Sequence, residues 1–435
     1  MSNQIVIQEL MDKGFLFVGD GYRAKNSELS KAGLPFARAG NINSGFHFDG
    51  AECIPEDKLA KVGNKVSKPG DVVFTSKGTV GRFAFVDTDT QPFVYSPQLC
   101  FWRSLNPNVI RPRYLYYWMS SREFFLQFNS VKGQTDMADY VSLTDQRRMK
   151  LSVPEIKVQD AIADILGPLD DKIELNRKMN ETLEQMARAI FKSWFIDFDP
   201  VHAKHQGKKP FGMDELTAAL FPDSFEPSEF GEIPKGWRVG RLNEVADVVG
   251  GGTPSTANDT FFCEAGKGIP WLSPKDLSGF NYKFISHGAS DITEAGLKNS
   301  SAKVLDPGAV LFSSRAPIGY IAIAENKVTT NQGFKSLIPK NGYGSDFLYY
   351  WLKFNTDAIE SRASGSTFKE ISGNGMKEMP VLIPSEPIAV SFARLLDQNT
   401  EYQKLLRREN IALVKVRDLL LPRLLSGDLS VKEVS

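Results

Sequence analysis

Residues Pro69–Gly81 read PGDVVFTSKGTVG, and residues Pro307–Gly319 read PGAVLFSSRAPIG. Each stretch passes from a Pro-Gly turn through a short apolar strand, Val72-Val73-Phe74 or Val310-Leu311-Phe312. Each then enters a turn of small hydroxyls and one cation. The likeness extends outward on both sides. Downstream, Tyr114–Met119 (YLYYWM) returns as Phe347–Leu352 (FLYYWL), and Val153-Pro154 as Ile383-Pro384. Upstream, Gly33-Leu34-Pro35 with Asn41-Ile42 matches Gly268-Ile269-Pro270 with Asp276-Leu277. The offset stays between about 230 and 240 positions, far beyond the period of a solenoid or propeller, so the chain holds two domain-sized copies of one fold. Two similar domains on one chain suit a ligand with two separated, comparable sites, and duplex DNA is the candidate.

A chain of 435 residues predicts two or three domains. Hydrophobic content of 42% with 11% aromatics is that of a packed globular protein. Lys+Arg and Asp+Glu both number 52, so nucleic-acid binding would rest on local patches rather than on bulk charge. Cys53, Cys100 and Cys263 are far apart and form no CxxC pair, which predicts reduced thiols and no structural zinc. No stretch reaches transmembrane length, and the expectation is a soluble, cytoplasmic protein with no membrane partner.

Each copy ends in a Pro-containing strand and passes into a long helical stretch. From Ile162, residues recur at alternating steps of four and three through Leu166, Leu169, Ile173, Asn176, Asn180, Leu183, Ala187, Ile190 and Trp194. That is a coiled-coil seam with two polar positions, which fix register at some cost in stability. Gly167-Pro168 is expected to kink or restart this helix. The second stretch, about Pro387 to Leu421, gives a stripe of Leu395, Asn399, Tyr402, Leu406, Leu413, Val416 and Leu420. Roughly 35 residues make a rod of about 50 Å, long enough to hold two domains apart if the helices pair. The fold class expected is α+β, with two similar mixed α/β domains separated by two long helices that form a coiled coil. The boundaries are 1–157 for the first domain, 158–197 for the central helical region and 198–236 for a linker with one short helix. The second domain is 237–385, and the C-terminal helical region is 386–435.

Catalytic signatures are missing: no GxxxxGK[ST], no carboxylate cluster of nuclease type and no methyltransferase tetrapeptide. His202 and His205 have helical metal spacing but lack a third ligand, so no metal site is expected. The repeated turns carry the binding chemistry. Ser76, Lys77 and Gly78, and Ser313, Ser314 and Arg315, offer hydroxyls and amides for phosphates and a cation for phosphate or guanine. A second repeated loop pairs Gln134 and Thr135 with Lys132, and Ser366 and Thr367 with Lys369. Gln98, Asn331 and Gln332 have the amides that read adenine, and Arg38, Asn41 and Lys275 complete the DNA-contacting candidates. For the repeated turns and loops an ordinary turn with a solvated cation remains the competing reading, and for Gln98, Asn331 and Gln332 it is an amide that satisfies its own loop. Tyr114, Tyr117 and Trp118 are read as core, not as stacking platforms.

The most specific stretches are LDDKIELNRKMNETLEQMARAIFKSWFIDFDPV (Leu169–Val201), GMDELTAALFPDSF (Gly212–Phe225), GEIPKGW (Gly231–Trp237) and LLLPRLLSGDLSV (Leu419–Val431). On these the chain resembles, over essentially its whole length, the specificity subunit of type I restriction–modification systems. The resemblance implies an α+β fold of two mixed α/β target-recognition domains, each reading half of a split DNA sequence, with an antiparallel coiled coil measuring the unread spacer. It implies two docked methyltransferase subunits that bind S-adenosylmethionine and modify adenine, and restriction subunits that use ATP and Mg. No cofactor belongs to this chain itself. A non-catalytic paired-module scaffold for protein partners is the alternative.

Overall fold

The computed structural model describes residues 3–42, 45–77, 81–131, 133–134, 139–280, 282–315, 317–365 and 369–429. The chain forms two compact units, Met1–Lys178 with Arg407–Ser435, and Met179–Leu406.

In the first unit the quoted strand, Val72–Thr75, is buried along its whole length and lies inside an antiparallel sheet. The sheet order is Leu16–Asp20, Leu99–Ser104, Val72–Thr75, Phe83–Phe85. A smaller sheet sets Leu34–Ala37 between antiparallel Cys53–Ile54 and parallel Val94–Tyr95. Helix Pro112–Met119 begins on a proline, whose fixed φ suits a first helical turn, and buries Tyr114, Tyr117 and Trp118. Ser120 and Ser121 then interrupt it. The Ser120 hydroxyl turns back to the Tyr116 carbonyl at 2.9 Å, and a new helix, Arg122–Val131, follows.

The second unit repeats this plan. Its larger sheet runs Ala246–Gly250, Lys335–Pro339, Val310–Phe312, Ile321–Ala324, with Phe284–Ile285 added in parallel at the edge. Its smaller sheet again sets a strand, Ile269–Leu272, between an antiparallel neighbour and a parallel one, Thr329–Thr330. Here the aromatic segment lies in a single helix, Ser345–Ser361, with no serine pair to break it. The segment read as a linker is folded into this unit. It forms helices Asp199–His205 and Glu215–Leu220 and a hairpin of Phe225–Ser228 with Gly231–Pro234, and it buries Val201, Phe221 and Ile233.

Two long helices, Ile156–Phe195 and Glu386–Ser426, each contribute to both units. The first is continuous through Pro168 and does not restart there. Gly167 leaves room for the Arg113 guanidinium, which donates to the Gly167 carbonyl at 3.5 Å, while the buried Leu166 anchors the preceding turn. Within the first unit the helices run antiparallel. Arg417 pairs with Asp170 at 2.9 Å, and Asn176 donates to the Asn410 Oδ1 at 2.9 Å. Asn410 in turn donates to the Ile173 carbonyl at 3.1 Å. Within the second unit the pairing is again antiparallel, with Gln403 donating to the Asn180 carbonyl at 3.4 Å and Phe392 packed on Phe191 and Trp194.

The seam of the last helix differs from the stripe read in the sequence. Leu395 and Tyr402 stand outside, 49% and 41% exposed, while Leu396 and Gln403 point inward. The true run is Phe392, Leu396, Asn399, Gln403, Leu406, Asn410, Leu413, and its polar members satisfy backbone carbonyls of the opposing helix in two places. Asn399, Leu406 and Leu413 are common to both runs, and up to Leu413 only Leu395 and Tyr402 miss the seam, each standing one position before the inward residue. On the first helix Leu169, Ile173, Asn180, Leu183 and Ile190 are half-buried and Asn176 is fully buried.

Candidate nucleic-acid interface

The two repeated turns are built by the same hydrogen bonds. In the first unit Thr75 N donates to the Arg82 carbonyl, Arg82 N returns to the Thr75 Oγ1 at 3.0 Å, and Gly81 N reaches the Thr75 carbonyl. In the second, Ser313 N donates to the Tyr320 carbonyl, Tyr320 N returns to the Ser313 Oγ at 2.8 Å, and Gly319 N reaches the Ser313 carbonyl. Gly81 and Gly319 take φ of 96° and 103°, a region open to glycine, so both turns need that residue where the sequence has it. The next residue is tied across in each copy. Ser76 N and Oγ both donate to the Gln98 carbonyl, and Ser314 N and Oγ both donate to the Gly333 carbonyl.

This geometry corrects part of the sequence reading. Ser76, Ser313 and Ser314 are buried and spend their hydroxyls on the chain's own carbonyls, so they shape the turn and do not face a phosphate. A hydroxyl next to a buried strand meets an unsatisfied carbonyl before it meets solvent. The cations that follow them, Lys77 and Arg315, are exposed.

Around Lys77 the structure gathers several other candidates. Gln98 Oε1 accepts from Ala39 N at 3.0 Å, which draws the Arg38–Asn41 turn to the same edge. Asn41 is consumed in that turn, accepting from Arg38 N at 2.8 Å and donating to the His47 carbonyl at 2.8 Å, so it is a structural amide rather than a base reader. Arg38 pairs with Glu52 at 2.5 Å on the surface. Arg82, absent from the sequence reading, reaches the Ala39 and Ile42 carbonyls from the turn and clamps the same edge. At the other end of the strand Val72–Thr75 lies a buried tie. Arg103 meets Asp71 through two bonds of 2.6 and 2.7 Å, and the Tyr95 hydroxyl donates to Asp71 at 2.6 Å. Burial first, and then the Asp71 charge, push the Tyr95 hydroxyl well above its ordinary pKa, so it stays a donor.

The second unit builds the matching edge from different side chains. Asn331 Oδ1 accepts from Gly333 N at 2.8 Å, which makes Asn331 a loop-former, while the exposed Gln332 accepts from the Thr253 hydroxyl. Arg315 Nε donates to Glu370 Oε2 at 2.8 Å, and Lys335 Nζ donates to Glu370 Oε1 at 3.2 Å. Glu370 and Lys335 were not among the sequence candidates; the only local signal was an acid among cations near Lys369. Lys275 and Lys369 are exposed. Gly78, Lys132, Thr135, Ser366 and Thr367 lie outside the described residues. Gln134 falls in a two-residue strand paired with Asp139.

Each domain is fastened to the long helices by the repeated aromatic segment. In the first unit Tyr117 is buried, and burial first and then the Asp170 charge raise its hydroxyl pKa; in the second the Tyr350 hydroxyl donates to Glu184 at 2.8 Å. Lys283, Asp346 and Tyr350 form a buried polar group beside it, with Lys283 ion-paired to Asp346. His202 and His205 pack on the Phe225 ring at 4.6 and 6.2 Å. Among the described residues no group of His, Cys, Asp or Glu has the arrangement of a metal site, and no helix is long and apolar enough to cross a membrane.

The model of the type I restriction modification DNA specificity domain matches the chain twice, over residues 13–185 and 234–415. The chain belongs to this family. The specificity subunit of the type I restriction enzyme HindI from Haemophilus influenzae is 30% identical over 411 residues, covering 84% of this chain and 88% of the relative. The MjaIX specificity subunit of Methanocaldococcus jannaschii is 39% identical over 194 residues, 44% of each chain. In fold, the chain is similar to the S subunit of a type I restriction-modification system from M. genitalium, with a TM-score of 0.55 at 15% identity, covering 98% and 96% of the two chains. The two family matches coincide with the two copies of the turn, and specificity-domain membership leaves no support for the protein-scaffold alternative.

Proposed function

We propose that this specificity subunit reads a bipartite duplex DNA sequence, one half with each unit, and contributes no catalysis of its own. The observation that carries the reading is the duplicated edge. Two turns with identical backbone bonding each present one exposed cation, Lys77 or Arg315, beside a loop drawn in from the smaller sheet. Two such edges on one chain fit two half-sites of unlike sequence, because the backbone is shared while the exposed side chains differ. In this reading the long helices set the unread spacer and dock two methyltransferase subunits. Those subunits bring S-adenosylmethionine to adenine, and restriction subunits bring ATP- and Mg-dependent translocation and cleavage.

The test is to express the chain with a methyltransferase partner and map methylated adenines across a genome. The expected pattern is a split motif with a fixed gap. Replacing residues 238–383 by the corresponding segment of a relative should change one half and leave the other. A single uninterrupted motif, or methyl transfer by the purified chain alone, would overturn the reading.

A further inference from the structure

Glu370 is an odd residue to find beside a surface meant for a polyanion. A carboxylate weakens attraction for phosphates, so its place there calls for another role. Both of its oxygens are engaged, Oε2 by Arg315 Nε at 2.8 Å and Oε1 by Lys335 Nζ at 3.2 Å. The backbone around it is equally fixed. Glu370 and Ser364 exchange N–H···O bonds of 2.9 and 3.0 Å, and Ile371 N donates to the Ser314 carbonyl at 3.0 Å. Lys335 reaches Ser314 Oγ as well, at 3.4 Å. The carboxylate is therefore held from both sides, and it holds Arg315 by the one nitrogen that is not at the end of the fork.

The first unit offers an internal control. By strand register and cross-turn bonds, Arg315, Lys335 and Glu370 correspond to Lys77, Cys100 and Tyr140. All three members differ together. Where the turn carries a lysine, a point charge with no planar fork, neither the acid nor the second cation is present. Where it carries an arginine, both are.

Resting on the DNA-reading function above, we infer that Glu370 is a specificity-determining positioning residue: it orients Arg315 so that its two terminal nitrogens face O6 and N7 of a guanine in the half-site of the second unit. The ion pair uses Nε, and a guanine edge takes two donors at the end of the fork. The first unit, with Lys77, has no such guanine reader at its turn.

The experiment measures binding of the full-length chain, with its methyltransferase partner, to its target and to duplexes altered one base pair at a time. Arg315→Ala should lose discrimination at one G·C pair of one half-site, by about 5- to 150-fold, and leave the other half-site intact. Glu370→Gln should lose discrimination at that same pair by about tenfold or more, while binding to unrelated duplex is kept or strengthened. A folded Glu370→Gln protein with every preference unchanged overturns the inference. So does an Arg315→Ala protein that weakens on all duplexes alike with a shallower salt dependence, which marks a phosphate contact. If Glu370→Gln does not fold, Glu370→Asp, which keeps the charge but shortens its reach to Arg315, takes its place and should lose discrimination at that same pair; a folded Glu370→Asp protein with every preference unchanged overturns the inference equally. An unmodified complex without any sequence preference would instead overturn the DNA-reading function on which this rests.

Discussion

Lys77 and Arg315 occupy one place in a repeated turn yet have different surroundings. Lys77 is an exposed cation with neutral residues at the two equivalent positions, and a phosphate contact suits it. Lys77→Ala should therefore weaken binding to all sequences alike and lower the salt slope by about one, read from binding at several salt concentrations. Glu370 adds a pH dependence. Burial opposes its charge, but the bonds from Arg315 and Lys335 outweigh that and hold its carboxyl below the usual range. A depressed folded-state pKa stabilises above the ordinary carboxylate pKa and fades as pH falls through the depressed one. Discrimination at the guanine should thus be level at neutral pH and decline only in acid, below the usual carboxylate range; a decline centred near neutrality would contradict it. Deeper in the first unit, Arg103→Met strands the buried Asp71 and should cost about 3–5 kcal/mol in chemical denaturation. The turn itself was legible in the residues, because Gly81 and Gly319 sit where positive φ is needed. The aim of the hydroxyls was not. The spelling of Ser76 and Ser314 does not tell whether a carbonyl such as those of Gln98 and Gly333 waits across the turn.

The long helices were legible as elements from their alternating steps of three and four, and the seam of the first was legible residue by residue. The seam of the last was legible only at Asn399, Leu406 and Leu413, because Gln403 and Asn410 look like surface residues until their carbonyl partners are seen. Two substitutions at adjacent positions separate the readings. Leu395→Lys should change stability by no more than about 0.5 kcal/mol, whereas Leu396→Ala should cost about 2–5 kcal/mol. The polar layer can be tested in the same way. Asn410→Leu leaves the Ile173 carbonyl and the Asn176 amide short of a partner and should cost about 1–3 kcal/mol. Adding Asn176→Leu should restore most of that loss at the expense of register. Denaturant midpoints of the single and double variants decide, and a double variant no better than the single would show that the layer is held by something other than mutual satisfaction. At Pro168 the helix continues without restarting, with the buried Leu166 anchoring the turn before it.

For the whole molecule, the duplication was readable because two copies of one fold must spell their turns and buried strands alike. Residues 198–236 were not readable as part of the second unit, since their Pro, Gly and charged content hides the few apolar anchors, Val201, Phe221 and Ile233, that fold them in. If the helices measure the spacer, inserting one heptad after Leu183 and another after Asn399 keeps the seam in phase and lengthens each helix by about 10 Å. The methylated motif should then show a gap about three base pairs longer, with both halves unchanged; a folded variant with the original gap would remove the helices from that role. The division of the chain into units also has a consequence for how a ribosome delivers it. The unit that begins first closes last: its core takes in Leu421 and Leu424, so it stays unfinished until residues after 406 have been made. The intervening unit is contiguous and can be complete while its predecessor still waits. A message cut short after residue 406 would release a polypeptide able to finish its second reader but not its first. Such a product exposes apolar surface to proteases instead of guiding a modification enzyme by half an address. Nascent-chain proteolysis at successive lengths should show protection arriving in that inverted order.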